Sequence, residues 1–169
     1  MAHHDALTGL PNRVLFADRF VQAIARCKRD EAYLAICYLD LDGFKAVNDN
    51  LGHKAGDHLL VEVAARLKSI MRQEDTIARL GGDEFGLLMC EIKELEQCEL
   101  AMERIHHIVS QPYQIDGLRV VIGLSSGVTL YPLDDADADT LLRHADHAMY
   151  LAKQGGRNRY KIFDPETMA

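Results

Sequence analysis

The chain has 169 residues, 48% of them hydrophobic, and a formal net charge of −7. That length buries one good core and is short for two, so a single domain over residues 1–169 is expected. The acidic balance argues against a nucleic-acid-binding surface, which needs cationic contacts to phosphates. No apolar run approaches the ~18 residues that cross a bilayer, and the N-terminus lacks the basic and then apolar layout of a signal peptide. The expected location is therefore cytoplasmic.

Pro11 and Asn12 close an opening loop, after which Val14, Leu15, Phe16, Phe20, Val21 and Ile24 recur at near-helical spacing and predict a helix to about Lys28. Tyr33 to Leu41 is almost continuously apolar, as in a central strand covered on both faces, and Asp40 stands at its exit. A loop over Gly43 to Asn50 leads to a second helix with the stripe Gly56, Leu60, Val63, Leu67, Ile70 and Met71. Ile77 to Leu80 and Phe85 to Cys90 read as a hairpin around Gly81-Gly82. Glu94 to Val109 is a third helix, burying Leu95, Leu100, Met102, Ile105 and Val109 and stopped by Pro112. Tyr113 to Ile115 and Arg119 to Leu130 read as paired strands around Asp116-Gly117. Asp137 to Gln154 is the last helix and Arg159 to Phe163 a closing strand. The fold class is α/β, with helices packed on a mixed sheet that the two hairpins make mainly antiparallel. Cys27, Cys37, Cys90 and Cys98 show no metal-ligand spacing and read as reduced thiols.

Asp83 and Glu84 fall at the tip of the first hairpin, and Asp40-Leu41-Asp42 ends the earlier apolar run. Carboxylates clustered at the ends of neighbouring strands suit magnesium-assisted phosphoryl or nucleotidyl transfer, although Gly-Gly-Asp alone is only a turn. An unpartnered Asp40 at the end of so apolar a strand would be costly to desolvate. Lys45 could neutralise charge on phosphates or be a surface lysine. Lys153 and Arg157, four apart near a helix end, are placed on one face, either to grip phosphates or as an ordinary basic C-terminus. Asp57 could accept from guanine N1 and N2, with Asn48 meeting the other polar groups, or be a helix N-terminal acid. His53 lies four residues before Asp57. Arg72 and Asp75 form an i,i+3 pair. His106, His107, His144 and His147 read as helix-surface residues.

Five segments carry a family resemblance: Asp5 to Arg13 (DALTGLPNR), Asp40 to Asp49 (DLDGFKAVND), Gly52 to Asp57 (GHKAGD), Arg79 to Phe85 (RLGGDEF) and Ala152 to Asn158 (AKQGGRN). In this order and spacing they resemble the GGDEF domain of diguanylate cyclases, over nearly the whole chain. The resemblance implies a palm-like nucleotidyl cyclase fold with the motif on the hairpin. It also implies condensation of two GTP molecules into cyclic di-GMP and two pyrophosphates by a homodimer. By position in the motif, Mg2+, with Mn2+ as the alternative, would be held by Asp40, the Leu41 carbonyl, Asp83 and Glu84. Asp83 and Glu84 would be jointly catalytic, Glu84 either as a ligand or as a group that helps deprotonate the attacking hydroxyl, and Lys45 would stabilise the transition state. Phe44, Asn48, His53, Asp57, Lys153 and Arg157 would contact substrate, and Arg72 with Asp75 would form an inhibitory site for the product.

The abrupt start at the first segment implies a domain cut from a longer protein, with fused sensory or phosphodiesterase domains. Ile162-Phe163-Asp164-Pro165 resembles the exit into a phosphodiesterase domain. The rival readings are a silent GTP- or cyclic di-GMP-binding regulatory module and an unrelated nucleotidyltransferase or mononucleotide cyclase. Ser125-Ser126-Gly127 stands where the family more often has Ser-Ile-Gly, which puts core packing there in question.

Overall fold

A computed structural model describes residues 2–168. Its frame is set by one strand, β1 (Tyr33–Asp42), whose alternate side chains enter two different cores. Ala35, Cys37, Leu39 and Leu41 face one side; Leu34, Ile36 and Tyr38 face the other. Covering both faces accounts for the nearly continuous apolar run. Around β1 lie β2 (Thr76–Gly81), β3 (Glu84–Ile92), β6 (Gly123–Tyr131) and β7 (Arg159–Ile162), in the order β2-β3-β1-β6-β7. All neighbours are antiparallel except β6 and β7, which run parallel, so the sheet is mixed and mainly antiparallel.

Helices α1 (Arg13–Asp30) and α5 (Ala138–Gln154) cover one face through Phe16, Phe20, Leu141, Ala145 and Met149. Helices α3 (His53–Ile70) and α4 (Leu95–Val109) cover the other through Leu59, Val63, Leu67, Met102 and Ile105. Each such large side chain contributes about 1.5–3 kcal/mol by leaving water. Side chains fix where three of these helices begin. Asn12 accepts from the Leu15 N–H, Asp137 accepts from the Thr140 N–H, and Glu94 with Gln97 forms a reciprocal capping box.

Several elements depart from the expectations. The predicted loop after β1 is a short helix, α2 (Phe44–Leu51). On α1 the inward stripe is Phe16, Phe20 and Cys27, while Val14 and Val21 are exposed; on α4, Leu95 and Leu100 are exposed and Cys98 takes the inward position. Helix α4 ends at Val109 as expected. The predicted strand from Arg119 to Leu130 is two: β5 (Leu118–Val120) pairs only with β4 (Tyr113–Ile115) in a separate hairpin, and β6 joins the main sheet. A four-residue helix, α6 (Pro165–Met168), follows β7. All four cysteines are free and buried. No helix among the described residues is long and apolar enough to cross a membrane.

The serine that stands in for an apolar residue has a partner. Ser126 is fully buried and its hydroxyl meets Nε2 of His106, which reaches in from α4. Burial lowers the His106 pKa to about 4, so the imidazole stays neutral and its desolvation is tolerable. His106 is therefore not the surface residue expected. Nor is His144, whose Nδ1 lies 2.7 Å from the buried Asp134 carboxylate and whose ring stacks on Phe163 at 4.0 Å.

Candidate active site

The alternation along β1 also aims the acidic residues. Tyr38, Asp40 and Asp42 continue the row that faces α1 and α5. Asp40 is opposite Glu84 in the β1–β3 register, so the two carboxylates start from the same face. The motif hairpin is tight: β2 ends at Gly81 and β3 begins at Glu84, leaving Gly82-Asp83 as the turn. Gly82 has φ 48, a conformation that side chains disfavour. The Leu41 N–H donates to the Asp83 carbonyl at 3.3 Å, which ties the turn to the end of β1 and brings Asp83 beside Asp40.

This corner is short of positive charge. Asp40 is 8% exposed, and its Oδ2 is 2.8 Å from Nζ of Lys153, on the last turn of α5. The Asp83 carboxyl is pushed up to about 6, first by burial and then by the Asp40 charge, while Lys153 pulls the other way. Among the described residues no group of three His, Cys, Asp or Glu side chains could hold a metal ion. The residues offer instead an oxygen-only pair, Asp40 and Asp83, with mutual repulsion that a cation would relieve, which fits a hard divalent ion.

Glu84 has different company. The Tyr38 hydroxyl donates to its Oε1 at 2.9 Å, and Nη2 of Arg13 reaches that hydroxyl from α1 at 3.5 Å. Burial, together with the Glu84 acceptor, raises the Tyr38 pKa to about 12, so the phenol remains a donor. The hairpin is braced from outside as well. Arg79 donates from Nε to the Gly82 carbonyl at 2.9 Å and pairs through Nη1 with Asp5 at 3.2 Å. The opening segment thus buttresses the turn. Sequence reasoning missed Tyr38, Arg13, Asp5 and Arg79. For Tyr38 the signal was present, since a residue two before Asp40 on a strand shares its face.

The candidate base-reading residues lie on α2 and the start of α3. Asn48 packs so closely on Gly56 that a Cβ added there would fall 1.8 Å from Asn48 Oδ1, with the Phe44 ring 3.4 Å away. Phe44, Asn48 and Gly56 are therefore brought together. His53 and Asp57 are exposed on the first turns of α3, four residues apart. Lys45 is exposed on α2, with no hydrogen bond or ion pair among the described residues.

The cationic pair needs correction. Helix α5 ends at Gln154, so Arg157 lies beyond it with φ 63 and does not share a helical face with Lys153. The Arg72 and Asp75 pair sits after α3, away from the hairpin tip. Asp75 has a side chain 5% exposed, and accepts from the Cys90 N–H at 2.9 Å and the Arg72 N–H at 3.1 Å. Burial nevertheless raises its pKa. The Arg72 guanidinium bonds the Cys90 carbonyl and lies 3.4 Å from Glu74. This is more than a loose surface pair, because it fastens the segment before β2 to β3.

The sequence profile described as "Diguanylate cyclase, GGDEF domain" matches residues 2–159. Over its whole length the chain is 50% identical to the bifunctional diguanylate cyclase/cyclic di-GMP phosphodiesterase MucR of Pseudomonas aeruginosa, of which it spans 24%. It superposes on the isolated GGDEF domain of PA1120 (TpbB or YfiN) from Pseudomonas aeruginosa with a TM-score of 0.90 and 38% identity, covering 96% of this chain and 95% of that one. The GGDEF domain of DgcB from Caulobacter crescentus, solved with c-di-GMP, gives a TM-score of 0.88 at 28% identity, covering 97% of this chain and 94% of that one.

Proposed function

The chain belongs to the diguanylate cyclase GGDEF domain family, and on that premise we propose that it condenses two GTP molecules into cyclic di-GMP and two pyrophosphates. The observation that carries this reading is the Asp40–Asp83 pair at the hairpin corner, with Lys153 as its counter-ion. Beside that pair stands Glu84, and a domain kept only for binding has no need of Asp83 and Glu84 together.

In this reading Lys153 and Arg157 hold the terminal phosphates of one GTP, and Asn48 with Asp57 meets the donor edge of guanine, which adenine cannot offer. Lys45 would offset the charge that builds during transfer. Asp40, Asp83 and the Leu41 carbonyl would hold Mg2+, or Mn2+. When bound, such an ion supplies Lewis acidity toward the α-phosphate and eases loss of the hydroxyl proton. The 3′-oxygen of the facing GTP forms a bond to the α-phosphorus, the bond to the β-phosphate oxygen breaks, and pyrophosphate leaves with the electron pair. The acidic pair Asp83 and Glu84 takes the proton. Because the product is two-fold symmetric, two copies of the domain must face each other.

The test is chromatography of the products after a forced dimer of the domain is incubated with GTP and magnesium. The expected result is cyclic di-GMP that disappears with Asp83→Ala. A confirmed dimer that binds GTP and yields no product overturns the reading in favour of a regulatory module. MucR carries both activities in its name, and an attached phosphodiesterase domain is part of the proposal for the longer protein. We further propose product inhibition at Arg72 and Asp75. Arg72→Ala should raise the cyclic di-GMP concentration needed for half-inhibition, and an unchanged inhibition curve would remove the site.

A further inference from the structure

Asp42, on the same row of β1 as Asp40, has a set of partners of its own. Its Oδ2 accepts from the backbone N–H of Asn158 at 2.9 Å, and its two oxygens accept from the Ser125 hydroxyl at 2.7 and 2.9 Å. One carboxylate therefore joins three pieces of chain: the end of β1, the start of β6, and the turn between α5 and β7. That turn carries Arg157.

The turn does not hold its shape by local preference. Gly156, Arg157 and Asn158 have φ of 115, 63 and 47 in succession. L-residues avoid this region, and two adjacent non-glycine residues rarely enter it without being held there. Two backbone bonds return to α5, from Arg157 N to Ala152 O at 3.1 Å and from Gly156 N to Lys153 O at 3.3 Å. The bonds on the sheet side are those from Asn158 N to Asp42, from Nε of Arg159 on β7 to the Arg157 carbonyl at 3.1 Å and, more weakly, from Leu124 N to Asn158 Oδ1 at 3.5 Å. Asn158 is also packed tightly, since a Cβ on Gly123 would lie 3.1 Å from its Oδ1. The Arg157 guanidinium is exposed, with no hydrogen bond or ion pair among the described residues. Its direction is therefore set by the backbone beneath it.

We infer that Asp42 is a positioning residue for the phosphate grip: its carboxylate fixes the left-handed turn at Arg157 and Asn158 and so aims the Arg157 guanidinium at the substrate's phosphates. A charge-assisted bond from a backbone N–H to a carboxylate is stronger than a neutral one. A carboxylate, unlike a hydroxyl or amide, can accept from the turn and from Ser125 at once without presenting a donor to either. Asp42 touches no substrate in this scheme, which rests on the phosphate role proposed above for Arg157.

The test is a double-mutant cycle on binding, read with a GTP analogue carrying a methylene between the α- and β-phosphorus, and with guanosine as the phosphate-free control. Asp42→Ala should weaken the analogue roughly tenfold and leave guanosine unchanged. In an Arg157→Ala background, Asp42→Ala should then add nothing, because the group it aims is gone. Asp42→Asn, which keeps an oxygen for the Asn158 N–H but gives up the charge and the second acceptor, should recover only part of the affinity. Should Asp42→Ala fail to fold, Ser125→Ala gives the same cycle with a smaller loss, again absent without Arg157. Losses that multiply in the double variant, or equal losses for analogue and guanosine, overturn the positioning role. If Arg157→Ala itself leaves analogue binding intact, the phosphate role of Arg157 is what fails.

Discussion

Asp83→Asn should make the metal-free domain more stable at neutral pH while abolishing turnover. The folded state holds the Asp83 carboxyl at about 6 against an ordinary 3.8, so it keeps a proton that the unfolded chain releases. Below about pH 4 both states are protonated and the group is neutral in the balance. As pH rises through 6 the folded state must accept a carboxylate beside Asp40, and stability is lost across that window. At about 1.4 kcal/mol for each pH unit, the ceiling is roughly 3 kcal/mol. Solvent screening of this half-buried group reduces it to about 1 kcal/mol. Asn fills the same volume without the charge. Urea unfolding with a chelator present should show Asp83→Asn more stable by about 1 kcal/mol at pH 7.5, a rise of about 2–4 °C in Tm for a domain of this size. The gain should fade toward pH 4. Equal or lower stability at pH 7.5, or a gain undiminished at pH 4, would refute the electrostatic account of this corner.

Tyr38→Phe removes the donor to Glu84 Oε1; kcat should fall about tenfold, the scale of one hydrogen bond to a charged group, with KM for GTP unchanged in steady-state assays. Gly56→Ala would drive a methyl into the Asn48 amide, so GTP affinity should drop by about tenfold or more while circular dichroism stays native; unaltered affinity would remove Asn48 from base recognition. Arg66→Ala should cost about 2–3 kcal/mol in urea unfolding. Its guanidinium donates to the carbonyls of Ile108, Gln111 and Pro112 at 2.7–2.9 Å and lies 3.5 Å over the Tyr113 ring, closing the C-terminal end of α4.

Elements with one strong period were legible in the sequence. Strand β1, the motif hairpin and helix α5 come out within a residue or two of their expected limits; apolar continuity marks the first and Gly-Gly the second, and Asp137, expected as the first residue of the third, caps it instead. Helix α2 was not legible. Its eight residues bury only Val47, and Asn48, Asp49 and Asn50 carry little helix propensity, so packing against α3 is what forms it. Val14 and Leu100 were misplaced because several apolar residues stand side by side there, and only the partner surface decides which of them turns inward. The break before Gly123 depends on a second sheet that no local pattern announces. At the site, Asp40 and Asp83 were legible as a pair, whereas the ion pair of Lys153 with Asp40 and the tie between Asp42 and Asn158, which spans 116 positions, need the fold.

The even-numbered row of β1 changes character along its length, from Leu34 and Ile36 in the core, through Tyr38 with its apolar ring and polar tip, to Asp40 and Asp42. At that end each acid but one has a donor from another element. Glu84 has Tyr38, Asp40 has Lys153, and Asp42 has Ser125 with the Asn158 N–H. Asp83 has none among the described residues and is held beside Asp40 by the backbone of its own turn. Of these four it is thus the acid whose ionisation the fold opposes. It is therefore where a cation arriving with a nucleotide would gain most, and where replacement by an amide would most help the protein and most harm its chemistry.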